Sequence, residues 1–129
     1  MHGLHLTADL SDCPVARSVM TEPEALRAAC LAAVRSAGLQ PVGELFHRYA
    51  PMPAGVTGVV LLAESHLAVH TWPEIASATL DVYVCNFGAD NSARAHALLA
   101  MLIDVFAPGR VERHALQRGA QAGAAQALR

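Results

Sequence analysis

Residues 57–74 read TGVVLLAESHLAVHTWPE, two apolar runs either side of a short polar break. Thr57 to Ala63 is rich in β-branched and aliphatic residues and strand-sized, and it predicts a buried strand. Leu67 to Thr71 predicts a second strand, closed by Pro73, which cannot donate to a ladder. Downstream, Ala78 to Cys85 alternates: Leu80, Val82 and Val84 point one way and Thr79, Asp81 and Tyr83 the other, the two-residue period of a strand with one buried face.

Working outward, Leu4 to Leu10 alternates and predicts a first strand, and Pro41 to Tyr49 another. Thr21-Glu22-Pro23-Glu24 carries helix-start chemistry, with Thr21 as cap, proline in the first turn and acids near the positive end of the dipole. Alanines and leucines continue to Ala37, where Gly38 stops the helix. Asn91-Ser92 can cap a second helix running to Phe106, ended by Pro108-Gly109, and Arg110 to Leu116 predicts a short last strand. The order is β-α-β-β-β-β-α-β. It predicts an α+β two-layer sandwich, a mainly antiparallel sheet with helices on one face. The strands near Ser65 are so apolar that the other face is expected to be packed as well. Residues 1–118 are expected to form one domain, and the Ala/Gln/Gly-rich stretch from Gly119 to Arg129 a frayed tail.

The chain has 129 residues, 53% of them hydrophobic and 16% charged, a composition that excludes a disordered chain. So few charges predict an apolar surface covered by a partner, most simply a second copy of the same chain. A formal net charge of -2 gives no reason to expect nucleic acid or an anionic membrane as partner. No run approaches the length of a membrane span. Cys13, Cys30 and Cys85 are an odd number without a CxxC pair, which argues against a disulfide framework or a metal site and fits a reducing cytoplasm.

The break between the two apolar runs holds the chemistry. Ser65 is a hydroxyl nucleophile next to the Glu64 peptide bond, His70 follows five residues on, and Cys85 ends the next strand. Such a set can build an electrophile from the protein's own backbone. Each residue also has an ordinary reading. Serines near strand ends are commonly bonded to backbone, a histidine in a strand serves core or interface packing, and a free cysteine is most often a buried apolar side chain. Cys13 and Cys30 take that last reading. In a regular strand Ser65 and His70 would face opposite sides, so a bend between them, or loop geometry at Ser65, is expected if they act together.

The run Glu64-Ser65-His66-Leu67, with His70-Thr71-Trp72-Pro73-Glu74 and then a strand and Cys85, resembles the processing site of the small prokaryotic S-adenosylmethionine decarboxylases. Gly3-Leu4-His5-Leu6, Phe46-His47-Arg48, Gly55-Val56-Thr57-Gly58-Val59-Val60 and Asp81-Val82-Tyr83 extend the resemblance over most of the chain, far more specific than an isolated short motif. The resemblance implies a proenzyme cut between Glu64 and Ser65, with Ser65 converted into a pyruvoyl group that forms a Schiff base with the substrate amine; pyridoxal phosphate is then not required, nor a metal. It implies that Thr57, where the family usually has serine, supports processing, that His70 rather than its rival His66 is the base for the Ser65 α-proton, and that Cys85 returns a proton to the substrate. It implies that Tyr49 and Trp72 lie near adenine and that Glu74 binds the ribose hydroxyls, with Trp72 and Glu74 reaching the neighbouring subunit's pocket in a homodimer whose active sites sit at the interface.

Three departures from the family pattern border this region: a loop from Pro51 to Val56 about two residues longer, Tyr49 in place of phenylalanine, and Asn86-Phe87 in place of glycine after Cys85. Relatives of this fold that act on ornithine or arginine are the alternative. They would need an acid toward the distal cation, for which Glu44, Asp81 and Asp90 are the candidates. A further alternative is an unprocessed regulatory pseudoenzyme, against which the intact Ser65, His70 and Cys85 argue.

Overall fold

The alternation of residues 56–85 folds as a meander in the computed structural model, which describes residues 2–50 and 54–119. Strands β3 (Val56–Leu62), β4 (Ser65–Trp72) and β5 (Ser77–Cys85) pair in antiparallel succession. Strand β1 (Gly3–Ser11) pairs with β5 and with β6 (Arg110–Arg118), and β2 (Pro41–Arg48) pairs with β3. The result is one six-stranded sheet in the order β2-β3-β4-β5-β1-β6, with every pairing antiparallel. The helices α1 (Pro23–Ser36) and α2 (Ser92–Phe106) pack against each other and on one face of it. The α+β two-layer expectation therefore holds.

Between sheet and helices lies the core. Leu6, Leu10, Leu67 and Leu80 enter it from the strands, and Leu26, Leu98, Leu102 and Phe106 from the helices, all of them buried. Each such side chain is worth roughly 1.5–3 kcal/mol relative to exposure, so the helical face is strongly specified and the strand register with it.

Local details differ from expectation for identifiable reasons. The N-cap of α1 is Glu22 rather than Thr21, and no side chain caps it. Pro23 forces the residue before it into extended backbone, and Glu22 has φ -109° and ψ 112°. The other end behaves as expected. Gly38 adopts φ 82°, its N–H reaches the Arg35 carbonyl, and the Leu39 N–H reaches the Val34 carbonyl, the paired bonds of a Schellman stop. Strand β4 begins at Ser65, not Leu67, and β6 runs on to Arg118. Of the expected tail, residues 120–129 lie outside the described residues, as do Pro51, Met52 and Pro53 of the longer loop.

The second face of the sheet carries no element of this chain among the described residues. Leu45 and Leu61 are 69% and 50% exposed on it, and Val59, His66, Ala68 and His70 are half-buried. Packing of this face, expected from the apolar strands, is therefore not supplied by the described residues of one chain.

Cys30 is fully buried in α1, and burial pushes its thiol up from an ordinary 9.0 to about 12 because the core disfavours the thiolate. The folded value lies above the unfolded one, so this contribution to stability is complete below pH 9 and is lost as the pH rises toward 12. The melting temperature should fall between pH 9 and 11, and Cys30→Ala should flatten that fall while lowering stability at neutral pH. An equally steep fall in the variant would remove Cys30 as its source.

Candidate active site

At one end of the sheet, β2, β3 and β4 frame a cavity of about 450 Å³. Its lining includes Tyr49, Thr57, His70, Trp72 and Glu74, five of the residues singled out from sequence. Thr57 and His70 are cross-strand partners on β3 and β4. Their side chains share a hydrogen bond, Thr57 Oγ1 to His70 Nδ1 at 2.9 Å, so the imidazole is held by the hydroxyl of the opposing strand. Two residues on, Trp72 stacks on His70 with ring centroids 5.8 Å apart. Tyr49 meets His47 edge to face at 4.7 Å. Beyond Trp72 the chain turns through Pro73–Ile75, with Ala76 at φ 51°, which leaves Glu74 exposed at the rim.

The cavity wall is tied by a residue not singled out from sequence. Thr71 is buried; its Oγ1 accepts the Val56 N–H at 2.8 Å and donates to the Met20 carbonyl at 2.8 Å. Gly55 lies so close to the Thr71 carbonyl that any Cβ there would collide with it, which fixes glycine at the mouth of the cavity.

Ser65 and Cys85 form a second cluster at the opposite end of β4. Ala63 and Glu64 make a two-residue connection between the paired Leu62 and Ser65. Glu64 sits there at φ 52°, in the left-handed region uncommon for a residue with a side chain. The Cys85 N–H donates to Ser65 Oγ at 3.0 Å, which fixes the hydroxyl beside the Glu64 peptide. The Cys85 carbonyl accepts from Asn91 Nδ2 at 3.0 Å. Asn91 is the N-cap of α2 by position, but its side chain makes no cap bond. Sequence reasoning flagged Asn86 only as a departure and Asn91 only as a cap; their polar side chains so near Cys85 were the available signal.

Neither a bend between Ser65 and His70 nor loop geometry at Ser65, the two alternatives expected, is found: Ser65 already belongs to β4 and pairs with Leu62. Two continuous ladders, Leu62↔Ser65 to Thr57↔His70 on one side and His66↔Tyr83 to Trp72↔Ser77 on the other, hold β4 straight. At about 3.3 Å per residue, five residues separate the two side chains by about 16 Å, and the two-residue period turns them to opposite faces. Within one chain the structure thus joins Thr57, His70, Tyr49, Trp72 and Glu74, joins Ser65, Glu64 and Cys85, and keeps the groups apart. His66, the rival to His70, stacks on Tyr83 at 5.6 Å.

The acids considered for a distal cation are engaged elsewhere. Glu44 accepts from Arg27 Nε at 2.8 Å, Asp81 contacts His5 Nε2 at 3.0 Å, and Asp90 accepts the Ser92 N–H at 2.9 Å. That last bond holds the Asp90 carboxyl below its usual range. None of the three lines the cavity. Among the described residues, ligand atoms of Asp9, Glu112 and His114 lie within 4.8 Å of one another. All three are exposed on β1 and β6, away from both clusters, and such exposed groups are common without an ion. No helix among the described residues is long and apolar enough to cross a membrane.

Residues 4–119 match the profile of the S-adenosylmethionine decarboxylase family. The chain is 38% identical over 117 residues to the S-adenosylmethionine decarboxylase proenzyme of Aquifex aeolicus, covering 91% of this chain and 81% of that protein. It is 31% identical over 117 residues to the proenzyme of the same name from Archaeoglobus fulgidus, covering 91% and 97%. The crystal structure of the adenosylmethionine decarboxylase from Aquifex aeolicus superimposes with a TM-score of 0.81 at 34% identity, over 92% of each chain.

Thr71→Val, which keeps the side-chain shape, strands the buried Val56 N–H and Met20 carbonyl. It should cost about 1–3 kcal/mol, read as a lower denaturant midpoint, while Thr71→Ser should retain most of the stability. Equal midpoints for all three proteins would show that the hydroxyl bridge is not what ties the cavity wall.

Proposed function

Because the chain belongs to the S-adenosylmethionine decarboxylase family, we propose that it cuts itself between Glu64 and Ser65, converts Ser65 into a pyruvoyl group, and decarboxylates S-adenosylmethionine to the aminopropyl donor for spermidine synthesis. The observation that carries the cleavage is the Ser65 hydroxyl, held by the Cys85 N–H beside a Glu64 in left-handed backbone. A residue in that conformation stores about 1–3 kcal/mol of strain, which scission of the following peptide bond would release.

The Ser65 oxygen adds to the Glu64 carbonyl carbon, the peptide C–N bond breaks, and an ester replaces the amide. Removal of the Ser65 α-proton then expels the oxygen with Glu64 as its carboxylate. The remaining dehydroalanine takes up water and loses ammonia, leaving pyruvoyl at residue 65. Once formed, the group supplies the carbonyl that captures the substrate amine and the sink for the electrons left by carbon dioxide. Cys85 returns a proton to the substrate carbon, and neither pyridoxal phosphate nor a metal is needed.

His70, the base for the α-proton, is too far from Ser65 of its own chain, on the opposite face and about 16 Å along the strand. We therefore propose a homodimer in which the helix-free faces of two sheets meet about a twofold axis. Cys85 shares that face with Asp81 and Tyr83 by the alternation of β5, and Ser65, the first residue of β4, would be reached around the end of the sheet; the Thr57–His70 pair of one copy, with its Tyr49, Trp72 and Glu74, would in that way complete the Ser65–Cys85 cluster of the other. The uncovered Leu45 and Leu61 support this docking, as does the small number of charges in the chain. The Thr57 hydroxyl fixes the orientation of the His70 imidazole, and a general base works only when so positioned. Tyr49 and Trp72 offer aromatic faces for adenine and a sulfonium, and Glu74 acceptors for the ribose diol.

On a denaturing gel the wild-type chain should run as two fragments of about half length each, and Ser65→Ala as one inactive chain; normal cleavage of that variant would sink the pyruvoyl assignment. Ser65→Ala and His70→Ala should each be inert alone yet recover cleavage when co-expressed, since one site of the mixed dimer has both residues. No recovery would place the complete site within a single chain.

A further inference from the structure

The Asn86-Phe87 departure and the helix cap at Asn91 leave a hydrogen-bond network that the proposed chemistry does not use. Asn91 Nδ2 donates to the Cys85 carbonyl at 3.0 Å. The Asn91 backbone N–H donates to Asn86 Oδ1 at 2.7 Å, and Asn86 Nδ2 donates to Ser92 Oγ at 3.0 Å. Asn86 is itself pinned by its own N–H, which donates to the His2 carbonyl at 2.7 Å. Cys85 is the last residue of β5, where the ladder ends and the backbone would otherwise be free to fray. Its two polar main-chain atoms are instead both held, the N–H by Ser65 Oγ and the carbonyl by Asn91.

We propose that Asn91, anchored by Asn86, is a positioning residue that holds Cys85 in place for proton return after the chain has been cut. The inference rests on the pyruvoyl assignment for its timing and on the hydrogen bonds for its geometry. Conversion of Ser65 carries Oγ away on the Glu64 carboxylate, so the Cys85 N–H loses the partner it has in the intact chain. The Asn91 contact involves no atom that processing removes, and it becomes the side-chain restraint that remains on the Cys85 backbone. A thiol's rotamer follows its backbone angles, and a small misplacement of a reacting group is costly in rate. Asn91 therefore acts on turnover more than on cleavage.

Asn91→Asp separates this role from simple capping. Aspartate caps a helix as well as asparagine does and suits the positive end of its dipole, but its carboxylate cannot donate to the Cys85 carbonyl. The variant should remain folded and cleave normally, while kcat for S-adenosylmethionine falls about tenfold and KM stays within about twofold. In the uncleaved Ser65→Ala background, Asn91→Asp should speed amide hydrogen exchange at Cys85 and Asn86, a readout that needs no turnover; Asn86→Ala should do the same. Wild-type kcat in Asn91→Asp, or unchanged exchange at those two amides, would overturn the proposal. If the wild-type protein released no carbon dioxide from S-adenosylmethionine, the functional assignment would fail instead, and the exchange measurement would still decide whether Asn91 holds Cys85.

Discussion

The straightness of β4 governs the rest of the molecule. With β3 on one side and β5 on the other, each residue from His66 to His70 is held in register by both neighbours. A strand so paired cannot bend to bring its two ends together without breaking several ladder bonds, each costly to leave unmade in a buried sheet. The Ser65 hydroxyl at one end and the His70 imidazole at the other are consequently kept apart within one chain. The hydrophobic core enforces this division, because Leu67 and Val69 between them are buried under the helices.

The two faces of the sheet differ in character. The helical face is filled by leucines and closed by α1 and α2. The opposite face mixes threonines, histidines, one Asp–His pair and a few aliphatic side chains, too apolar for a surface meant for water and too polar for an internal core. Such a mixture suits an interface that must also house reacting groups. The His5–Asp81 pair, with Tyr83 edge-on to His5 at 6.2 Å, shows that its polar members are already organised within one chain.

Much of this was legible in the amino-acid sequence. The alternation in Ala78–Cys85 placed Leu80, Val82 and Val84 inward, as found, and Gly38 ended α1 with a left-handed residue. Tyr49, Thr57, His70, Trp72 and Glu74, singled out for separate reasons, line one cavity. What periodicity could not supply was distance. A motif written on one line places Ser65 and His70 side by side, whereas an extended strand keeps them apart, and only the ladder register decides between a bend and a straight run. Nor could it foresee Thr71, whose importance comes from the Val56 and Met20 backbone brought to it by folding. The helix cap was misjudged by one residue because Pro23 restrains its predecessor more strongly than Thr21 favours capping.

The order of the strands has a consequence for a chain severed at the β3–β4 connection. The front half would own β1, β2 and β3, and the back half β4, β5 and β6. Read across the sheet β2-β3-β4-β5-β1-β6, the halves interleave: two strands of the first, two of the second, one of the first, one of the second. Three of the five ladders would then join one fragment to the other, and β1 would lie sandwiched between strands of its counterpart. Each piece would keep only one two-stranded ladder, β2–β3 or β4–β5, marginal on its own, so a cut at that connection would have to follow folding and would not be retraced by mixing separated halves with the ease of a single chain. Covalent continuity would then serve assembly, and a weave once made would hold without it.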